Sequence, residues 1–156
     1  MKCCDKIRNA DIEHSISWKN QSYNLLMTAS NKEEFKAAVL WCGSIGNVIR
    51  SIDTEEQDNF SNYVYSIKEK ILDGSFDLKN IESFKNKTPR SWVSKICHIL
   101  NPQQYPIIYD ANVCSNLKLK TMNQFWDELT KRREDSTNKT REEIYRKESE
   151  IWALNK

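Results

Sequence analysis

Glycine and proline are nearly missing from this chain, and that shortage narrows its fold more than any other feature. Only Gly43, Gly46 and Gly74, with Pro89, Pro102 and Pro106, occur among 156 residues. Sandwiches and barrels reverse direction about every ten residues and draw on such turn formers each time. Helices joined by short polar turns do not. An all-α fold is therefore expected, as a single compact multi-helix domain over 1–156. Five tryptophans, six tyrosines and five phenylalanines supply the large apolar side chains that a disordered chain lacks.

Helix starts can be read from their caps. Asn31 with Glu34 makes a capping-box pattern ahead of Phe35, Val39, Leu40, Ile45, Val48, Ile49 and Ile52, spaced mostly by three or four. Thr54 with Gln57 repeats it before Phe60, Tyr63, Val64, Ile67, Ile71 and Leu72, and Gly74 suits the stop that follows. Thr88-Pro89 reads as an N-cap and first-turn proline opening Trp92, Val93, Ile96, Ile99 and Leu100. Asn101-Pro102 closes that helix, because a residue before proline avoids the helical region. Asp110 caps a short helix to Leu117, Thr121 opens another through Met122, Phe125, Trp126 and Leu129, and Thr140 with Glu143 opens the last. The polar run 130–139 reads as a solvated turn or a helix extension. Segment 75–87 reads as a short helix or loop anchored by Phe76, Leu78, Ile81 and Phe84.

The balance of 24 basic against 22 acidic residues gives no overall nucleic-acid signal, so a basic face has to come from segregation of charge. Met1 to Ile16 mixes charge and polarity without the apolar run of an export signal, and no stretch approaches a membrane span. Five cysteines without a CxxC pair then suggest reduced thiols and a cytoplasmic protein, with Cys3-Cys4 on a mobile terminus. Cys97, His98 and Cys114 lack the three- or four-residue spacing of a zinc site, and no metal or cofactor is expected. Gly43-Ser44-Ile45-Gly46 resembles a backbone clamp, but it lies in an apolar helix without flanking cations and points to close helix packing.

Charge does segregate between Lys79 and Asn101, where five cations (Lys79, Lys85, Lys87, Arg90, Lys95) face one acid, Glu82. A helix start flanked by Lys85, Lys87 and Arg90 offers amides and cations to a phosphate. Lys131-Arg132-Arg133, by contrast, is followed at once by Glu134-Asp135 and reads as a neutralised surface. The sharpest feature is 88–113, TPRSWVSKICHILNPQQYPIIYDANV: an amphipathic helix, a proline-punctuated loop, an apolar pair, and a carboxylate at the next helix start. As an N-cap alone, Asp110 is sufficiently explained. A carboxylate delivered by apolar neighbours also suits acid–base work or the stabilisation of a developing cation.

This arrangement resembles the catalytic half of the helix-hairpin-helix DNA glycosylases, loosely the 8-oxoguanine-glycosylase-like members and similar small bacterial and phage proteins. The parts that correspond are Val93 to Leu100, the loop 101–105, Pro106, Ile107-Ile108 and Asp110, with Asn112-Val113 after it, inside a match that covers about 30 of the 156 residues. The resemblance implies a reduced glycosylase-like fold and DNA as partner, with hydrolysis of a base–sugar bond. Asp110 would stabilise the sugar cation or activate water. Lys95 would position a phosphate or pair with Asp110. Lys85, Lys87, Arg90 and Ser91 would hold the backbone, and Trp92 or Tyr109 would stack on the extruded base. The hairpin lacks the family's Gly-x-Gly, and Ser91 or Trp92 stands where bifunctional members carry a Schiff-base lysine, so any activity is expected to be monofunctional. Two alternatives stand beside it: a non-catalytic binding protein of the same fold, and a helical regulator presenting Trp18, Trp126 and Trp152 to a protein partner.

Overall fold

The computed structural model describes residues 3–45, 54–83 and 89–154, with side chains from Arg8 onward and excepting 44–45. Among them the chain is all-α: α1 (Cys3–Thr28), α2 (Lys32–Ile45), α3 (Thr54–Asp73), α4 (Arg90–Leu100), α5 (Ala111–Asn116), α6 (Met122–Ser136) and α7 (Arg141–Trp152). A 3₁₀ turn, Leu78–Asn80, lies between α3 and α4.

The caps behave as local chemistry dictates. Thr121 accepts from the Gln124 amide while the Gln124 side chain accepts from the Thr121 amide, a complete capping box. Thr140 accepts from Glu143 N. Asn31 Oδ1 accepts from Glu34 N at 2.9 Å, but the Glu34 carboxylate reaches Ser30 rather than Asn31, so the box closes one residue early. At the end of α3, Gly74 adopts φ +80 while Gly74 N donates to Ile71 O and Ser75 N to Lys70 O, a Schellman stop. Helix α4 begins at Arg90 with Pro89 in the cap position and no side-chain cap bond, one residue later than the Thr88-Pro89 reading; Thr88 lies outside the described residues. The expected continuation of α2 through Val48, Ile49 and Ile52 lies outside them too, as do Gly46 and Phe84.

Helix α4 is the hub, with eight of its side chains buried and contacts to α1, α2, α3 and the 3₁₀ turn. Gly43 explains how α2 comes so close: a Cβ there would sit 2.4 Å from Cζ2 of Trp92, whose ring stacks on Phe60 with centroids 3.9 Å apart. The glycine is therefore a packing device in the core. Helix α6 runs on to Ser136, so most of the polar stretch 130–139 extends the helix.

Two corrections concern segments read as incidental. Cys3-Cys4 opens α1, the longest helix at 26 residues, rather than forming a loose tail. That helix packs on α2, α4 and α7, burying Ile12, Ile16, Lys19, Ser22 and Leu26 at helical spacing. Arg133, read as part of a neutralised surface, turns inward instead. Its guanidinium donates to Gln104 O and lies 5.2 Å from the Tyr105 ring and 5.0 Å from Trp126, bracing the proline loop.

Candidate active site

The loop that delivers Asp110 is tied at each step. Asn101 caps α4 and donates from Nδ2 to Ile71 O and Leu72 O at the end of α3. Tyr105 is wholly buried and donates its hydroxyl to Phe76 O at 2.8 Å. Ile107 and Ile108 are buried, and Tyr109 N donates to Ser94 Oγ at 2.9 Å, stitching the loop to α4. Asp110 Oδ1 then accepts from Asn112 N at 2.8 Å and Val113 N at 3.3 Å, while Oδ2 has no protein partner among the described residues. One oxygen caps α5 and the other is left over.

Asp110 lines a cavity of about 230 Å³ together with Ile108 and Lys95. Lys95 projects from the middle of α4 and carries no ion pair among the described residues. The opposite wall is α1, which contributes Asp11, His14, Ser15 and Trp18, and α7 adds Trp152. With Lys19 and Glu148 included, two indoles, three carboxylates, two amines and an imidazole line this one small space.

Beneath them, Lys19 and Glu148 form an ion pair at 1 % and 3 % exposure, and both reach the cavity. Lys19 Nζ donates to Glu148 Oε2, to Tyr145 O at 3.1 Å and to Ser149 Oγ at 2.9 Å, which uses all three of its protons. Burial pulls the ammonium below the usual lysine range; Glu148 opposes that pull and Lys95 adds to it. His98, fully buried, makes its Nδ1 contact to Tyr105 O at 2.8 Å. A carbonyl only accepts, so Nδ1 carries the proton. Burial, then Lys19, hold the imidazole neutral, with its pKa well below the usual histidine value. His98 thereby ties α4 to the loop that carries Asp110.

The residues expected from sequence divide cleanly. Lys95 and Asp110 come together at the cavity. Trp92, expected to stack on a base, is only 1 % exposed and fills the core instead. Tyr109 meets Phe125 edge-on at 5.0 Å and does not line the cavity. Ser91 is half-buried, with its carbonyl accepting from Ser94 Oγ, and Arg90 is exposed at the start of α4. Lys85 and Lys87 lie outside the described residues. Cys97 is buried and its thiol is pushed up by desolvation, as is Cys42 to about 11, so neither offers a thiolate. Among the described residues no three ligands gather for a metal ion, and no helix is long and apolar enough to cross a membrane.

The α1 wall was missed by sequence reasoning. Its signal was the spacing Ile12, Ile16, Lys19, Tyr23, Leu26, obscured because a lysine holds an interior position and Ser15 and Ser22 turn towards neighbouring helices.

The chain matches no family model, no curated protein and no solved structure.

Proposed function

We propose that this cavity receives a nucleobase and that the protein cleaves the bond between that base and its sugar, as a monofunctional N-glycosylase acting on nucleic acid. The observation that carries the reading is the convergence of Asp110 and Lys95 on one cavity walled by Trp18 and Trp152. A flat heterocycle gains from indole surfaces, and glycosylases must take the base out of its stack to reach the glycosidic bond. Positive charge develops on the sugar as that bond breaks. The free Oδ2 of Asp110 is the group suited to meet it or to accept a proton from attacking water, while Oδ1 keeps the carboxylate fixed. Lys95 would hold a phosphate, with Arg90 at the start of α4 as a second contact.

The test is base release from modified and unmodified DNA, wild type against Asp110→Asn. Asparagine caps a helix about as well as aspartate, so α5 is kept and the chemistry alone is removed. Release is expected to fall by at least ~100-fold. A variant that releases base at the wild-type rate ends the glycosylase reading. The cap bonds of Asp110 also suit a protein that binds without cleaving. That second reading is favoured if DNA binding weakens with salt, by ~0.9 log units per phosphate contact per decade, while no base is released.

A further inference from the structure

The floor of the cavity carries two polar atoms that the fold leaves unused. Glu148 is 3 % exposed and lines the cavity; Lys19 takes Oε2, and Oε1 has no partner among the described residues. Trp18 lines the same cavity, and its indole Nε1 is buried without a hydrogen-bond partner. A buried donor without a partner is costly, so the Trp18 N–H beside an open carboxylate oxygen calls for a ligand that serves both. His98, the other group facing Glu148, lies with Nε2 at 3.9 Å from Oε2 and, being neutral with its proton on Nδ1, offers the carboxylate nothing. The Lys19 protons are already assigned.

Resting on the nucleobase reading, we infer that Glu148 and Trp18 read the hydrogen-bonding edge of the bound heterocycle: Glu148 Oε1 accepts an N–H from the ligand while the Trp18 indole N–H donates to a ring acceptor. The ligand class is a nitrogen heterocycle that presents an N–H donor beside an acceptor. Lys19 is the positioning residue, since it fixes one carboxylate oxygen and leaves the other turned to the ligand. Neither role breaks a bond; both decide which base enters.

Quenching of tryptophan fluorescence by two small probes tests this: 9-methyladenine, which carries an amino group, and 9-methylpurine, which keeps the ring acceptors but has no N–H. A hydrogen bond to a charged group is worth ~1.5–3 kcal/mol, so the wild-type protein is expected to bind 9-methyladenine about 10- to 100-fold more tightly. In Glu148→Gln the amide oxygen can keep the Lys19 contact and the amide N–H₂ turns to the ligand, so the preference should vanish or reverse. Trp18→Phe should weaken both probes alike and leave their ratio intact. Equal binding of the two probes by wild type overturns the inference, as does absence of binding to either, and neither result requires a variant to fold. A ratio unchanged in folded Glu148→Gln overturns it as well. Neither probe has a glycosidic bond, so the outcome is separate from base release. Loss of the glycosylase reading with the probe ratio intact leaves a base-binding site, whereas Asp110-dependent release with equal probe binding removes Glu148 and Trp18 as readers.

Discussion

Replacing Gly43 by alanine sets two opposing magnitudes against each other. A methyl group in mid-helix gains ~1 kcal/mol of helix propensity over glycine. Against that, the new Cβ would lie 2.4 Å from Cζ2 and 2.5 Å from Cε2 of Trp92. Carbon atoms rest at ~3.5–4.0 Å, so the indole or the helix must move by about 1 Å. The ring has no free side to move to, because it is 1 % exposed and stacked on Phe60. Overpacking of this kind costs ~1–3 kcal/mol, and a clash this deep belongs at the upper end, so a net destabilisation of about 2 kcal/mol is expected. Equilibrium urea unfolding, followed by far-UV circular dichroism and tryptophan fluorescence, measures it. Trp92→Phe supplies the control, since it trims the ring atoms that clash. The double variant should then be more stable than the sum of the single losses by at least ~1 kcal/mol. Wild-type stability in Gly43→Ala, or strict additivity with Trp92→Phe, would refute a steric role for Gly43.

Two further outcomes follow from the buried polar groups. Lys19→Met leaves Glu148 buried without its cation and should cost ~3–5 kcal/mol, while Lys19→Met with Glu148→Leu should recover most of that loss; a single variant costing under about 1 kcal/mol in urea unfolding counts against the pair. Folding depends on pH through His98, whose neutral form is favoured in the folded state, so below its ordinary value of 6.5 the unfolded chain takes up a proton that the folded one refuses. Stability should therefore fall as pH drops from 6.5 to 5.5, above the range where carboxylates titrate, by about 1.4 kcal/mol per pH unit at most. The slope should be absent in His98→Asn, and a flat profile in wild type would contradict the burial argument.

Much of the fold was legible because its signals are short-range. The Thr121, Thr140 and Asp110 caps each join a side chain to an amide two or three residues ahead, so sequence alone determined where those helices begin. The Gly74 stop is equally local, as is the apolar run that makes α4 central. Asp110 and Lys95 could be named because they sit on that run and on the loop closing it. Their surroundings could not. Trp92 was read as a ligand contact because an aromatic beside a cationic helix start looks the same whether it faces a base or Phe60; only the approach of α2 at Gly43 put it inside. The wall and floor of the cavity come from Trp18 and Lys19 at one end of the chain and Glu148 and Trp152 at the other. Lys19 bonds to Glu148 across 129 positions, a pairing with no local trace, since a lysine on a helix is ordinarily a solvated one. The helices were thus set by bonds between near neighbours. The candidate site was decided by which helix faces met in the tertiary structure, where burying Lys19 became possible only once Glu148, Tyr145 and Ser149 were there to satisfy it.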